Sequence, residues 1–368
     1  MWSRVSRGRR TKFSFFLYRA ASDDEGALIG RRSQKNTPIP AVWRIDVEPD
    51  DFQPDVKEQP WDGFVSTVKL VEGLRNRLAD RSARAPHPTW FIRLDPDIER
   101  CFGRHDYVVQ RHGEQFAQLA HHHYPLGIHV HAHRWDAERS VAFSDYADNI
   151  WTTQCLTVAA ETFAQSFGEP VRRSCQGGYF LTERILDTAI ALGIKVDVTP
   201  EPGLAGKVAD PSFGAYATAV SGDFRICPRQ PYYPSRQSLN VQSSSLADYR
   251  PILIVPLTSY DYDTALASRK RQIANRVLRV PRRHYPLNPW KQWPSPHVYW
   301  DLVARSAEEQ SARYFAFAMR THTPGSVAAE RARTLLDYLP NHPIAERLHF
   351  VDPLGPEIQA LATPHVNG

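Results

Sequence analysis

Leu126-Gly127-Ile128-His129-Val130-His131-Ala132-His133-Arg134-Trp135 sets three histidines at alternating positions behind a short apolar lead. In an extended backbone, side chains two residues apart share a face. His129, His131 and His133 would then line one side, with Ile128 and Val130 on the other. If the chain turns after the strand, His129 and His133 can still converge on one ion. Imidazole is neutral near pH 7 and a common metal ligand, which suits zinc, nickel, cobalt or iron. The chain holds 15 histidines, so the same pattern also describes histidines on a solvated edge strand. The flanking sequence decides between the two.

Upstream, residues 42–48 read as a strand that ends in Pro49-Asp50-Asp51, and residues 89–95 as a second that ends in an acid followed by Pro96. Helical spacing runs through Phe64, Val68, Val71, Leu74 and Leu78, and a further helix is expected over 107–120. Downstream, helices are expected over 146–167 and 181–192, the latter stopping at Gly193, and also over 298–310 and 325–339. Strands are expected over 195–199, 252–257, 314–319 and 348–351. Residues 200–250 and 265–297 are rich in Pro, Gly, Ser, aromatic or basic residues and read as long excursions. Strands that alternate with helices in this way predict a parallel α/β sheet or barrel. Polar residues gather at the strand ends: Asp46 and Glu48, Asp95, the histidines, Asp197, and Arg320 with His322. That is the end at which barrels and open α/β sheets carry their sites.

The whole chain has 368 residues, 42% hydrophobic and 23% charged, enough for one large globular domain or two smaller ones. Its formal charge of +5 comes largely from residues 1–12 and from the run between Arg269 and Arg283. Such runs are most often solvated faces, and no recognition-module pattern points to nucleic acid. Cys101, Cys155, Cys175 and Cys227 lie far apart, outside any metal spacing, and read as reduced structural thiols. No apolar run approaches the roughly 18 residues of a membrane span, and residues 13–18 are too short for a signal core. A cytoplasmic location is the expectation. Residues 1–40 are expected to form an irregular basic tail, 41–352 the barrel, and 353–368 a second tail.

These motifs, in this order, resemble the polysaccharide deacetylase family, the NodB-homology group of carbohydrate esterases. Ile45-Asp46-Val47-Glu48-Pro49 resembles its strand-end acid pair. Gly127 to His133 resembles its paired metal-binding histidines, which stand four apart, as His129 and His133 do. Residues 173–179 with 194–199 resemble the third motif and the strand after it. Phe315 to His322 sits where the family has a last strand with a histidine. The resemblance covers about residues 42–352 and implies an irregular (β/α)7 barrel. It also implies a divalent metal, zinc first, held by His129, His133 and Asp46, and a carbohydrate substrate. In the family two adjacent aspartates act, the first as general base and the second as ligand; here Val47 takes the second place. Asp46 and Glu48 therefore share base and ligand roles in either order. His322 is expected to protonate the leaving amine. Arg173, Gln176, Tyr179, Asp197 and Arg320 are expected around the substrate, and His131 as a packed neighbour rather than a ligand. The implied reaction is removal of an N-acetyl group from a sugar or polysaccharide, in surface polysaccharide metabolism. A catalytically silent carbohydrate-binding barrel, or a hydrolase of another non-peptide C–N bond, would carry the same marks.

Overall fold

The first strand decides how the sheet is used. Every second residue from Ile39 to Val47 is apolar, the positions between include Arg44 and Asp46, and almost all of the strand is buried. A strand buried on both faces belongs to a sheet covered on both sides, as parallel α/β sheets are. The computed structural model describes residues 37–50, 60–80, 83–138, 141–206, 222–245, 247–278, 284–309 and 314–362. The tail expected over residues 1–40 lies outside these except for its last four positions, two of which open the first strand.

In chain order the elements are β1 (Ile39–Val47), α1 (Asp62–Ala79), β2 (Thr89–Arg93), α2 (Pro96–Phe102), α3 (Tyr107–Arg111) and α4 (Gly113–His121). Then come β3 (Leu126–Val130), β4 (His133–Asp136), β5 (Val141–Ser144), α5 (Asn149–Phe167), β6 (Arg173–Gln176), α6 (Glu183–Ala191), β7 (Val196–Asp197) and β8 (Leu253–Ile254). An antiparallel pair, β9 (Ser259–Tyr260) and β10 (Tyr285–Pro286), brackets α7 (Tyr262–Leu266) and α8 (Arg269–Val277). Last are α9 (Pro296–Glu309), β11 (Phe315–Arg320), α10 (Val327–Tyr338), β12 (Leu348–Phe350) and α11 (Pro356–Leu361).

Seven parallel strands follow the order β11-β1-β2-β3-β6-β7-β8, and β12 pairs with the start of β1. The two ends of this path meet. Beyond β8, the Thr258 N–H donates to the Ala316 carbonyl at 2.8 Å, and the Ala316 N–H donates to the Thr258 hydroxyl at 2.9 Å. The Tyr314 hydroxyl reaches the Pro256 carbonyl at 2.5 Å. These bonds close the sheet into the irregular seven-stranded α/β barrel.

Alternation assigns the faces. Trp43, Ile45 and Val47 pack outward in one apolar cluster with Phe64, Leu74 and Leu336 of the surrounding helices. Val42, Phe91, Cys175, Val198, Leu253 and Ala316 form a second cluster inside the ring. Ile358 of α11 joins the inner cluster, so the stretch after Pro353 carries a helix that the sequence pattern did not show. Local chemistry fixes several helix ends. Asp148 accepts from the Ile150 and Trp151 amides to start α5, and Thr182 and Ser326 cap α6 and α10 in the same way. The helix expected over 107–120 is two helices, interrupted at His112. The segment 265–297, expected to be irregular, contains α8.

Candidate active site

Inside the ring, Arg44 and Asp46 of β1 and Glu48 just after it form a column toward the strand's C-terminal end. β3 pairs with β2 and β6 in a register that sets His129 beside Arg93 on one side and Cys175 on the other. Strand pairing ends at Val130. The chain bends, and His133 opens the β4–β5 hairpin, so the ten-residue histidine stretch is two strands rather than one. The bend is fixed from below: the His131 amide donates to Asp95 at 3.1 Å, and Arg93 holds the same carboxylate through two bonds.

This bend changes which histidines meet. His129 Nε2 lies 2.7 Å from Glu48 Oε1 and 3.0 Å from His131 Nε2, and His131 Nε2 lies 3.5 Å from Glu48 Oε1. Two groups of side chains that include His129 could hold an ion, Glu48 with His129 and His131, and Asp46 with His129 and Cys175; His133, expected as the second ligand, is in neither. Its ring stacks on His131 at 4.7 Å between centroids, and its Nδ1 is 3.1 Å from the Ser144 hydroxyl across the hairpin. His131, expected as a packed neighbour, takes the inward position. Gly177 makes room for it, since a Cβ there would sit 2.1 Å from His131 Nε2.

The two acids are held differently. Arg44 grips Asp46 with both arms of its fork, Nε to Oδ1 and a terminal nitrogen to Oδ2, each at 2.7 Å. The other terminal nitrogen of Arg44 reaches the Val198 carbonyl at 3.0 Å. Burial pushes the Asp46 carboxyl up, but Arg44 and then His129 outweigh it and hold it below the usual carboxylate range. Burial acts on Glu48 in the same sense, and Arg320 with His129 overcomes it to hold Glu48 well below that range. Arg320 reaches Glu48 Oε2 at 3.1 Å. Burial drives His131 and His133 toward the neutral form, with Arg93 adding to the effect at His131 and His131 adding to it at His133. His129 Nδ1 faces Cys175 Sγ at 3.0 Å and Asp46 Oδ1 at 3.9 Å. With a cation between Nε2 and Glu48, a proton on Nδ1 would leave the Nε2 lone pair for that cation.

A cleft of about 460 Å³ opens over this cluster. Asp46, Glu48, His129, Gln176, Tyr179, Arg320 and His322, all expected in the site, line it together with His131. Arg44, Glu201, Asn288 and Trp290 line it as well. Glu201 accepts from the Tyr179 hydroxyl at 2.8 Å and from Asn288 at 3.4 Å, and burial holds its carboxyl above the usual range. Besides His133, two of the expected residues lie elsewhere. Arg173 stands at the N-terminal end of β6, the opposite end from the cluster, and forms a two-pronged ion pair with Asp352. Asp197 lies beneath the site, where it accepts from the Ser174 hydroxyl at 2.8 Å and from the Thr199 amide at 2.9 Å. Among the residues the sequence reading passed over, Arg44 had a usable signal: it stands two positions before Asp46 and so shares its face. Glu201 and Asn288 sit in segments without period and offered none.

No family model matches the chain, and no curated protein does. Among solved structures it is similar to a Mycobacterium smegmatis protein named as a polysaccharide deacetylase, at 12% identity and a TM-score of 0.45, over 89% of this chain and 93% of that one. It is also similar to a Parabacteroides distasonis protein named as a glycoside hydrolase/deacetylase, at 16% identity and a TM-score of 0.45, over 86% and 69%. A third is a peptidoglycan deacetylase of Bacillus subtilis, at 9% identity and a TM-score of 0.33, over 86% and 89%. No helix among the described residues is long and apolar enough to cross a membrane.

Proposed function

We propose that this protein is a metal-dependent hydrolase that removes an N-acetyl group from a sugar, with the ion held by Glu48, His129 and His131. The observation that carries the reading is this ligand set at the floor of the cleft, beside a carboxylate held by its own arginine. Three ligand atoms 2.7–3.5 Å apart suit one ion, since adjacent ligands of tetrahedral zinc at ~2.0–2.1 Å stand roughly 3.3 Å apart. The donor chemistry fits too, with an imidazole kept neutral by burial at His131 and a carboxylate kept ionised at Glu48. A divalent ion bound there supplies Lewis acidity toward the acyl oxygen and a lowered pKa for a bound water.

The chain's own residues do the rest. Asp46, kept ionised by Arg44, accepts the proton from the attacking water. His322, on the cleft wall after β11, donates to the departing amine. Trp290 offers a ring face to the sugar, and Gln176, Tyr179 and Asn288 offer hydrogen bonds to its hydroxyls. Arg320, expected around the substrate, pairs with Glu48 and keeps it charged and oriented.

A second reading has its own observation. Arg44 occupies both Asp46 oxygens and lowers the basicity of that carboxylate, which suits a barrel that binds sugar without hydrolysing it. Two measurements on protein made without a His-tag separate the readings: metal content and acetate release from N-acetylated oligosaccharides. One equivalent of metal, lost in His129→Ala and His131→Ala and retained in His133→Ala, with acetate released, supports the hydrolase. Sugar binding with neither metal nor acetate release overturns it in favour of the silent barrel.

A further inference from the structure

Residues 264–283 contain seven Lys and Arg and no Asp or Glu. Within them α8 stands out from the barrel, and every side chain described on it is exposed. A nine-residue helix gains little from its own hydrogen bonds, and short helices in proteins owe their stability to a packed face. Among the described residues nothing packs over this one. Its solvent face is not a polar one either. Leu266, Ile273, Val277 and Leu278 are 44%, 57%, 74% and 72% exposed, four of the nine large apolar residues exposed among those described. Apolar residues scattered singly over a surface are ordinary; four between positions 266 and 278 are a patch.

The spacing orders this patch. Lys270, Ile273 and Val277 fall on one stripe of the helix, and Arg271, Ala274 and Leu278 on the adjacent one. The Leu278 amide donates to the Ala274 carbonyl at 2.8 Å, which carries the helical turn through Leu278. Each stripe thus begins with a cation and continues with apolar residues. Neither Lys270 nor Arg271 has an ion-pair partner among the described residues. A polyanion such as nucleic acid would engage the cations and leave Ile273, Val277 and Leu278 in water. A bilayer with anionic headgroups engages both, through charge at the headgroups and apolar side chains at the acyl boundary.

We propose that α8 is a docking element for an anionic lipid surface, with Lys270 and Arg271 at the headgroups and Ile273, Val277 and Leu278 inserted beneath them. The excursion that carries α8 leaves the barrel after β8, at the strand ends where the cleft opens. Its base is tied back to the ring by the Leu287 amide, which donates to the Thr258 carbonyl at 3.0 Å.

The test is co-sedimentation of the full chain with vesicles of phosphatidylglycerol and phosphatidylcholine, against vesicles of phosphatidylcholine alone. Binding is expected to the mixed vesicles and not to the neutral ones. Lys270→Gln with Arg271→Gln should weaken it roughly 25-fold, at about fivefold per cation. Ile273→Asp with Val277→Asp should weaken it at least tenfold without moving the thermal midpoint, because both side chains are exposed. Failure of the wild type to bind mixed vesicles overturns the proposal. So does wild-type binding by the Asp variant, or a tighter hold on DNA than on the mixed vesicles. None of these outcomes bears on the metal or acetate measurements at the cleft.

Discussion

Replacing Arg44 by Met tests the central electrostatic device of the cleft. The Arg44 and Asp46 side chains are 5% and 10% exposed, so water cannot take over the guanidinium's role. The change leaves Asp46 buried with its two 2.7 Å bonds lost and frees the Val198 carbonyl inside the ring. Breaking a buried pair from one side costs about 3–5 kcal/mol, because a charge is left uncompensated. The extra bond to Val198 places the expectation in the upper half of that range. Removing both partners is different, since apolar residues of similar volume often replace a buried pair at little cost. Arg44→Met with Asp46→Leu should therefore lie within about 2 kcal/mol of the wild type, with a coupling of at least ~2 kcal/mol between the sites. The assay is urea unfolding in the presence of chelator, followed by tryptophan fluorescence; Trp43 and Trp90 are both fully buried. The reasoning fails if Arg44→Met costs less than about 1 kcal/mol, or if the double variant loses as much as the two single variants together.

Gly177→Ala should push His131 out of line, because the added Cβ would meet its Nε2 at 2.1 Å; zinc affinity by titration calorimetry should fall about 10–100-fold while the far-UV spectrum stays unchanged. Arg173→Ala should cost roughly 1–2 kcal/mol in urea unfolding by breaking the bond to Asp352, yet leave zinc affinity as it is, because the pair sits at the other end of the barrel. Glu201 titrates above its ordinary value of 4.5 because it is buried, so its contribution to stability is complete below that pH and is lost as pH rises through the folded-state value. Unfolding midpoints measured from pH 4 upward should show that loss, and Glu201→Gln should remove it; an unchanged slope in the variant counts against the assignment.

How much of this was legible in the sequence depended on whether a pattern was local. Period-two alternation in β1 sorts its own side chains: the apolar odd positions pack outward against the helices, and Arg44, Asp46 and Glu48 share the other face, which the closed ring buries. The same alternation explains why Val47 cannot substitute for a second aspartate, since its side chain packs outward in the helix-facing core. The histidine stretch misled because alternation persists in sequence where strand pairing has stopped. Val130 still pairs with Gln176, whereas His133 pairs with Ser144 in a hairpin. The cause of that break is not in the stretch at all: it is the Asp95 carboxylate, 36 positions upstream, accepting from the His131 amide. Arg173 misled in the complementary way. Arg173 was expected around the substrate, but a strand only four residues long puts its first residue at the far end of the barrel. The arginine that grips Asp46 is Arg44, on the same strand. Glu201 and Asn288 reach the cleft from segments without period, so only the closed ring could bring them there. Sequence pattern thus reports what each strand does to its own side chains, while which side chains meet inside the ring is set by contacts between strands.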